Sequence, residues 1–244
     1  MNKEEVIKVN KLYKSFGENH ILRGIDITLH KGENLGIIGK SGIGKSVLIK
    51  CIVRLIEPDA GEVDVLGTDV LKCNSNQLNE LRKKVGYLFQ GGALYDSMSV
   101  RENLSFPIRR TEFKDKKHNT EELIERSLRS VGLLDAIDKM PSELSGGMKK
   151  RIALARTLIL KPDIILYDEP TTGLDAVTSG EISELILKIR EEYNTAAVII
   201  THDMKCAKIT TDIIKIMNEG VFRVEGTYDE LSSIEEKEIR DFFI

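Results

Sequence analysis

Eight consecutive residues near position 40 combine glycines, lysine and serine in an order that suits a phosphate group. They fit the pattern GxxxxGKS/T and are followed by Val47; they are Gly39, Lys40, Ser41, Gly42, Ile43, Gly44, Lys45 and Ser46. Glycines let backbone amides fold around phosphates, and a helix that begins here adds its dipole. We expect Lys45 to contact the β and γ phosphates and Ser46 to offer its hydroxyl to Mg²⁺. This phosphate loop (residues 39–46) predicts a nucleotide site.

A pair of carboxylates is the second source of chemistry. Asp168 and Glu169 directly follow the apolar run 164–167, which indicates a buried strand, and open α/β sheets bind ligands at the carboxyl ends of their strands. Asp168 suits the coordination shell of Mg²⁺, and Glu169 suits a general base that orients and deprotonates an attacking water. Two adjacent acids can also be solvated charges; the phosphate loop in the same chain favours catalysis.

A second glycine-serine segment opens another predicted helix. Ser145, Gly146 and Gly147 precede a long helical stretch and form a second terminus suited to an anion. A helix cap explains one serine and one glycine but not a second terminus of the phosphate-binding type. The ligand of this segment is not evident from the chain itself.

Strands and helices must position these residues. Apolar residues at or near every second position predict half-buried strands of an N-terminal antiparallel sheet: Ile7, Val9, Leu12, Ile25, Ile27, Leu29, Val63 and Val65. Continuous apolar runs at 34–38, 164–167 and 196–200 alternate with helices, which indicates a parallel sheet covered on both faces. Residues 217–221 predict a hairpin turn. The fold class is therefore α/β, with a phosphate-loop NTPase core, a mixed, largely parallel sheet and an antiparallel β subdomain.

The middle of the chain has a helical pattern. Thr120 can cap a helix whose first turn carries Glu121 and Glu122 and which ends at Gly132. We predict one domain over residues 1–244, in which 1–90 and 158–244 form the core and 91–157 form a helical subdomain.

The charge balance, the cysteines and the apolar stretches of the chain each limit the kind of protein it encodes. The 244 residues carry 36 Lys and Arg against 39 Asp and Glu, a net charge of −3, which argues against a nucleic-acid partner. The lysine clusters at 114–117 and 149–151 are interpreted as solvated faces. Cys51, Cys73 and Cys206 are odd in number and far apart, which indicates reduced thiols. No apolar stretch approaches the roughly 18 residues of a membrane span.

The segment 144–148, LSGGM, resembles the signature motif of ATP-binding cassette (ABC) ATPases, usually written LSGGQ, and the resemblance extends over essentially the whole chain. It implies the ABC ATPase fold, hydrolysis of ATP, and ATP with Mg²⁺ as cofactors. Phe16 resembles the aromatic residue that stacks on adenine, and Gln90 resembles the glutamine that contacts magnesium and water. Asp175 lies in a stretch that resembles the loop crossing the dimer interface. His202 resembles the switch histidine that senses the γ-phosphate.

In that family two cassettes meet head to tail, and the signature serine and glycines of each cap the ATP held by the other. The resemblance therefore implies a second copy of this chain as the partner of Ser145, Gly146 and Gly147. Hydrolysis then opens the dimer and moves membrane permease subunits.

Three segments resemble the ATPases of Mla- and Mce-type phospholipid transporters: residues 88–95 (LFQGGALY), 103–108 (NLSFPI) and 141–151 (PSELSGGMKKR). Methionine at the fifth signature position distinguishes this group, since generic importers usually have glutamine there. The resemblance implies a permease pair, an Mce-domain lipid-binding protein and a STAS-domain subunit. Residues 91–106 are the candidates for docking a permease helix. The implied location is the cytoplasmic face of the inner membrane, where the chain is peripheral and held by its permease.

Other interpretations stay open. A cassette for polar solutes or lipoproteins would share every catalytic residue and differ in the docking region. A cassette working on DNA or ribosomes would need a coiled-coil insertion, a second cassette or a basic face, none of which is apparent. A catalytically silent module would lack Glu169 or His202, and both are present. The tail 235–244 either reaches over a neighbouring copy or packs on its own core.

Overall fold

The computed structural model describes residues 4–111 and 119–243. Its strands are β1 (Glu5–Phe16), β2 (Asn19–His30), β3 (Asn34–Ile38), β4 (Ala60–Val65), β5 (Thr68–Asp69), β6 (Val85–Leu88), β7 (Ile164–Asp168), β8 (Ala196–Ile200), β9 (Ile213–Asn218) and β10 (Val221–Gly226). Its α-helices are α1 (Lys45–Ile52), α2 (Ser75–Lys83), α3 (Val100–Thr111), α4 (Thr120–Ser130), α5 (Gly146–Leu158), α6 (Ala176–Tyr193), α7 (Met204–Thr210), α8 (Tyr228–Ser232) and α9 (Lys237–Arg240). Short 3-10 turns cover Leu134–Ala136 and Pro141–Glu143.

A four-stranded antiparallel sheet, in the order β2-β1-β4-β5, forms at the N-terminus. Val9 lies opposite Ile27 on β2 and Val63 on β4. Leu12 comes three positions after Val9, and the register shifts between them. Lys11 has a φ of 44°, and its amide donates to Asp26 Oδ1 at 2.7 Å. This bulge returns Leu12 to the buried face, so the near-alternation of the sequence is confirmed as one continuous strand.

The six-stranded sheet has the order β10-β9-β3-β8-β7-β6. β10 runs antiparallel to β9, and the remaining neighbours pair in parallel. Every residue of β3, β7 and β8 is buried, because helices or the antiparallel sheet cover both faces. The α/β fold class and its parallel sheet are therefore confirmed. The arrangement also brings the phosphate loop after β3 close to the carboxylates after β7, since β8 alone separates the two strands.

Two large apolar clusters lie on opposite faces of this sheet. Leu166 and Val198 point into a cluster shared with α1 and the antiparallel sheet, and Ile165 and Ile199 point into one shared with α3, α4, α5 and α6. The helices of the middle segment thus pack on the same cluster as the sheet. The subdomain boundaries at residues 91 and 157 stay predictions.

The cap of α4 differs from the sequence prediction. Asn119, not Thr120, is the N-cap: its side chain accepts from the Glu122 amide at 3.0 Å, and the Glu122 carboxylate accepts from the Asn119 amide at 3.0 Å. Asn119 has extended backbone angles, whereas Thr120 is already helical. Asn and Thr both suit a cap, and the reciprocal pair with Glu122 selects the earlier residue.

The C-terminal part of the chain completes one edge of the core. Glu219 and Gly220 have positive φ in the tight turn between β9 and β10, as the sequence predicts. Ile239 is buried against the residues of β9, and the ring of Phe243 meets that of Tyr228 edge-on at 5.3 Å. The described part of the tail therefore packs on its own core; residue 244 lies outside the described residues. Within the described ranges, no helix combines the length and apolar character needed to cross a bilayer.

Candidate nucleotide site

The phosphate loop follows β3 and lines one side of a cleft. A Cβ atom at Gly44 would lie 2.4 Å from Ile21 Cγ2, and Gly44 has a φ of 107°, so glycine is required here. Lys45 is 5% exposed, and its ammonium donates to the Gly39 carbonyl at 2.6 Å and the Lys40 carbonyl at 3.0 Å. Burial lowers the pKa of Lys45, and the charges of Glu169 and Asp168 act in the opposite direction. The loop thus presents a buried cation beside two carboxylates.

A cavity of about 200 Å³ brings together the phosphate loop and two residues from distant parts of the chain. Its lining residues are Ile21, Ser41, Gly42, Gly44, Lys45, Ser46, Val47, Gln90 and Glu169. Most of the residues predicted to contact phosphates, and two predicted to act in catalysis, therefore share one opening.

Asp168 has a partner on each carboxylate oxygen. The Ser46 hydroxyl donates to Oδ1 at 2.7 Å, and the Tyr87 hydroxyl donates to Oδ2 at 3.1 Å. Burial, followed by the charge of Asp168, raises the pKa of Tyr87. A serine hydroxyl and a carboxylate that meet at one point are the oxygen donors that Mg²⁺ prefers, so the residues fit this ion.

Glu169 lies at the start of the loop after β7, with an unusual backbone. Its φ of 53° is in the left-handed region, which residues other than glycine rarely adopt. Its Oε2 accepts from the Thr172 hydroxyl at 3.0 Å and lies 2.7 Å from His202 Nδ1. The His202 side chain is 63% exposed, against 12% for Glu169. The carboxylate is therefore held in place at the cavity, and the imidazole beside it faces outward.

Lys150 is a residue of this site that the sequence analysis missed. Its place in the charged cluster 149–151 predicts a solvated face, but Lys150 is 7% exposed, and its ammonium donates to the carbonyls of Gln90 and Glu169, the latter at 3.2 Å. Burial lowers its pKa. It lies three and four positions before the buried Ala153 and Leu154, and that helical spacing was the available signal. The other cluster, Lys114, Lys116 and Lys117, lies outside the described residues.

The second glycine-serine segment stands apart from the cavity. Ser145 caps α5, accepting from the Met148 amide at 3.3 Å, and both Ser145 and Gly146 are exposed. A Cβ atom at Gly147 would lie 2.5 Å from Thr178 Cγ2, so this glycine also has a packing role within the chain. Among the described residues that line the cavity, none comes from this segment.

Two further predicted residues are also exposed. Asp175 caps α6, accepting from the amides of Val177 and Thr178 at 3.0 Å each and from the Thr178 hydroxyl at 2.6 Å. The hydrogen bond from the Thr178 hydroxyl is the main cause that lowers the pKa of Asp175. Phe16 is 52% exposed at the end of β1, with the Lys14 ammonium 5.2 Å from its ring centroid. Their side chains are therefore accessible to a ligand or to another molecule.

A separate aromatic groove of about 280 Å³ lies where β6 meets the helical segment. It is lined by Phe89, Ala93, Tyr95, Phe106, Pro107, Arg110 and Arg156. The rings of Tyr95 and Phe106 lie 4.9 Å apart, and Arg156 donates to the carbonyls of Ala93 and Gly92 at 2.8 and 3.1 Å. The groove thus combines exposed aromatic surface with two cations.

A family model described as ABC transporter matches residues 22–172 of this chain. A probable ribonucleotide transport ATP-binding protein, mkl, of Mycobacterium tuberculosis is 37% identical over 97% of this chain and 66% of its own length. The chain therefore spans just under two thirds of that relative. The phospholipid transport ATP-binding protein MlaF of Haemophilus influenzae is 36% identical over 98% of this chain and 90% of its own. The methionine import protein MetN 1 of Bacillus licheniformis is equally similar, at 36% identity over 97% and 71%.

Solved structures share the fold. The chain superposes on cbiO1 of Clostridium perfringens, part of an ABC transporter complex, with a TM-score of 0.85 at 28% identity, covering 98% of this chain and 94% of that one. The ATP-binding cassette MJ0796, whose structure is a dimer bound to ADP and Pi, gives a TM-score of 0.82 at 28% identity, covering 91% and 98%.

Proposed function

The chain belongs to the ABC transporter family of ATPases, and on that premise we propose that two copies of it bind Mg·ATP head to tail and hydrolyse it to drive a membrane transporter. The observation that carries this proposal is the cavity that joins the phosphate loop to Gln90 and Glu169. Around it lie the Ser46–Asp168 and Glu169–His202 hydrogen bonds. A nucleotide-binding fold without these contacts would bind ATP but would lack a positioned base.

Each side chain has a distinct task in this proposal. The ammonium of Lys45 and the amides of the phosphate loop hold the β and γ phosphates, and Phe16 stacks on adenine. Ser46 and Asp168, together with Gln90, hold Mg²⁺, which when bound supplies positive charge beside the phosphates. Glu169 orients a water and accepts its proton as the water attacks the γ phosphate in line.

His202 and Thr172 keep the base in a productive position. Both contact Glu169 Oε2, which leaves Oε1 for the water. The exposed His202 ring can contact the γ phosphate when ATP binds. Because the same ring is hydrogen-bonded to Glu169, loss of that phosphate would change the position of the Glu169 carboxylate.

The dimer accounts for the exposed second terminus. Ser145, Gly146 and Asp175 lie at helix N-termini with their outer faces exposed, which are suitable positions for capping a phosphate held by another copy. The solved structure of MJ0796, a bacterial ABC transporter cassette of the same fold, is dimeric.

We further propose that the cargo is a phospholipid, with an Mce-domain protein and a STAS-domain subunit as additional partners. The support is the set of segments LFQGGALY, NLSFPI and PSELSGGMKKR and the similarity to MlaF over 90% of its length. The alternative is an importer of a polar solute, which the equal similarity to MetN 1 favours.

The aromatic groove is the proposed seat of a permease helix, which would hold the chain at the cytoplasmic face of the inner membrane. Phe89 and Tyr95 are exposed apolar residues there, and apolar exposed surface of this kind suits a helix end with aromatic or aliphatic anchors.

The test is a mild-detergent pull-down of tagged Glu169→Gln chain from its native cell, with mass spectrometry of proteins and lipids. A permease with an Mce-domain protein and phospholipid supports the full proposal. A different permease without lipid would overturn the cargo but keep the ATPase. A matched pull-down of Tyr95→Ala should recover less permease if the groove is the docking site.

A further inference from the structure

We propose that Tyr87 is a positioning residue of the metal site, because its hydroxyl fixes the orientation of the Asp168 carboxylate that is to hold Mg²⁺. The inference rests on the proposed function, since it concerns the metal that accompanies ATP. It adds a residue that neither the phosphate loop nor the signature segment contains.

The sheet itself places Tyr87 in reach of Asp168. β6 and β7 pair in parallel, with Tyr87 beside Leu166 and Leu88 beside Tyr167. The long phenol side chain therefore extends toward the carboxyl end of β7, where its hydroxyl donates to Asp168 Oδ2 at 3.1 Å. A phenylalanine at this position could fill the same space but could not donate.

The two oxygens of Asp168 are thereby assigned to different partners. Oδ1 accepts from Ser46, the other expected metal ligand, at 2.7 Å, and Oδ2 accepts from Tyr87. With Mg²⁺ bound, Ser46 and Asp168 would hold the ion, and the hydrogen bond from Tyr87 would still restrict rotation of the carboxylate. A hydrogen-bonded partner behind a ligating carboxylate typically changes metal affinity or activity by about 10- to 100-fold.

The phenol ring is itself restricted. The Phe89 ring packs against it, with centroids 4.2 Å apart and an interplanar angle of 31°, and the side chain is partly buried. The Tyr87 side chain is therefore already restricted before it meets the carboxylate, and little conformational entropy is lost when the hydrogen bond forms.

The experiment uses the full chain with Glu169→Gln, so that ATP is bound but not consumed, and compares it with the same chain carrying Tyr87→Phe. Two quantities are measured: Mn²⁺ affinity in the presence of ATP, by electron paramagnetic resonance, and ATP affinity in EDTA. The matched control is Tyr167→Phe, which removes the hydroxyl of the residue next to Asp168. The Tyr167 ring lies in the apolar cluster on the face of β7 opposite to Tyr87.

We expect Tyr87→Phe to weaken Mn²⁺ binding about tenfold while ATP affinity in EDTA and the behaviour of Tyr167→Phe stay at the parental level. Unchanged Mn²⁺ affinity would overturn the proposal. Equal loss of ATP affinity in EDTA would also overturn it, because the hydroxyl would then support the loop and not the metal. If the parent chain shows no metal-dependent ATP binding at all, the proposed function fails first, and the two failures are thus distinguishable.

Discussion

The two glycine-serine helix termini of this chain differ in what the rest of the fold places over them. At the phosphate loop, Lys45 is buried, Ser46 is bonded to Asp168, and Gln90 and Glu169 close the cavity. At the signature segment (residues 144–148), Ser145 and Gly146 are exposed, and Ser145 caps only its own helix. Similar local sequences therefore lie in a cavity lined by several segments of the chain in one place and at an exposed helix N-terminus in the other.

This difference predicts that the two termini have separate roles, one in binding and hydrolysis and the other in assembly. Residues at the phosphate loop should govern binding and hydrolysis within each copy, whereas residues at the signature segment should matter only when a second copy is present. Variants on both sides should lower ATP turnover, and they should differ in how that turnover depends on protein concentration.

The largest effect is expected on the phosphate-loop side. Glu169→Gln should lower ATP turnover by about 10²- to 10⁴-fold, because the base that accepts the proton of water is lost. ATP affinity should be retained, since the amide keeps the size of the side chain. Turnover and ATP binding are measured on the same preparation, with Glu191→Gln, an exposed change on α6, as the control. Turnover near the wild-type value would refute the role of Glu169.

Ser145→Arg tests the open side. We expect ATP turnover to fall by about 10²-fold, which is typical for loss of one phosphate-stabilising donor, while ATP binding by the monomer stays unchanged. Turnover is measured as a function of protein concentration. Asn119→Ala is the matched control, because it also removes a helix cap, worth about 1 kcal/mol, but lies on α4. An equal loss of turnover in the control would make the effect one of stability.

Lys150→Met tests the link between the two sides, since Lys150 lies on the signature helix and donates to the loops of Gln90 and Glu169. Its removal leaves two carbonyls without this donor, so the free energy of unfolding should fall by about 1–3 kcal/mol. Denaturant unfolding measures the loss, and Lys149→Met, one position away and partly exposed, should change it by less than about 0.5 kcal/mol. Equal effects of the two variants on the free energy of unfolding would contradict a structural role of the Lys150 hydrogen bonds.

Asp175 carries the smallest expected effect and one that depends on pH. Its pKa is lowered in the folded chain, chiefly by the hydrogen bond from Thr178, so its contribution to stability is present above the ordinary carboxyl range and is lost as pH falls through the lowered pKa. Asp175→Asn retains the cap but does not titrate. The stability difference between wild type and this variant should therefore shrink on acidification, as followed by thermal unfolding. A difference that grows toward low pH would contradict the assignment.

Much of the fold and of the phosphate site could be predicted from the sequence because local patterns carry the information. Neighbouring residues determine the alternation in β1 and the apolar runs of β3, β7 and β8. They also determine the phosphate loop, whose glycines are needed for a tight turn.

Two of the misses concern contacts between residues that are distant in the sequence, and the third, the cap of α4, is local. The Tyr87–Asp168 bond spans 81 positions and depends on the register of two strands. Lys150 is paired with backbone carbonyls, and every residue has a carbonyl, so no residue type in the sequence indicates this pairing. Asn119 and Thr120 are adjacent residues of similar capping propensity, and the pairing with Glu122 decides between them.

The central claim, that each ATP is enclosed by two copies, is tested most directly by mixing Lys45→Met chain with Ser145→Arg chain. A heterodimer of the two has one intact site, formed by the phosphate loop of the second and the signature segment of the first; the introduced arginine faces the other loop, which holds no ATP. Half of randomly formed dimers would be of this kind with one working site of two, so turnover should recover to roughly a quarter of wild type. Turnover equal to the sum of the two separate chains would contradict the claim.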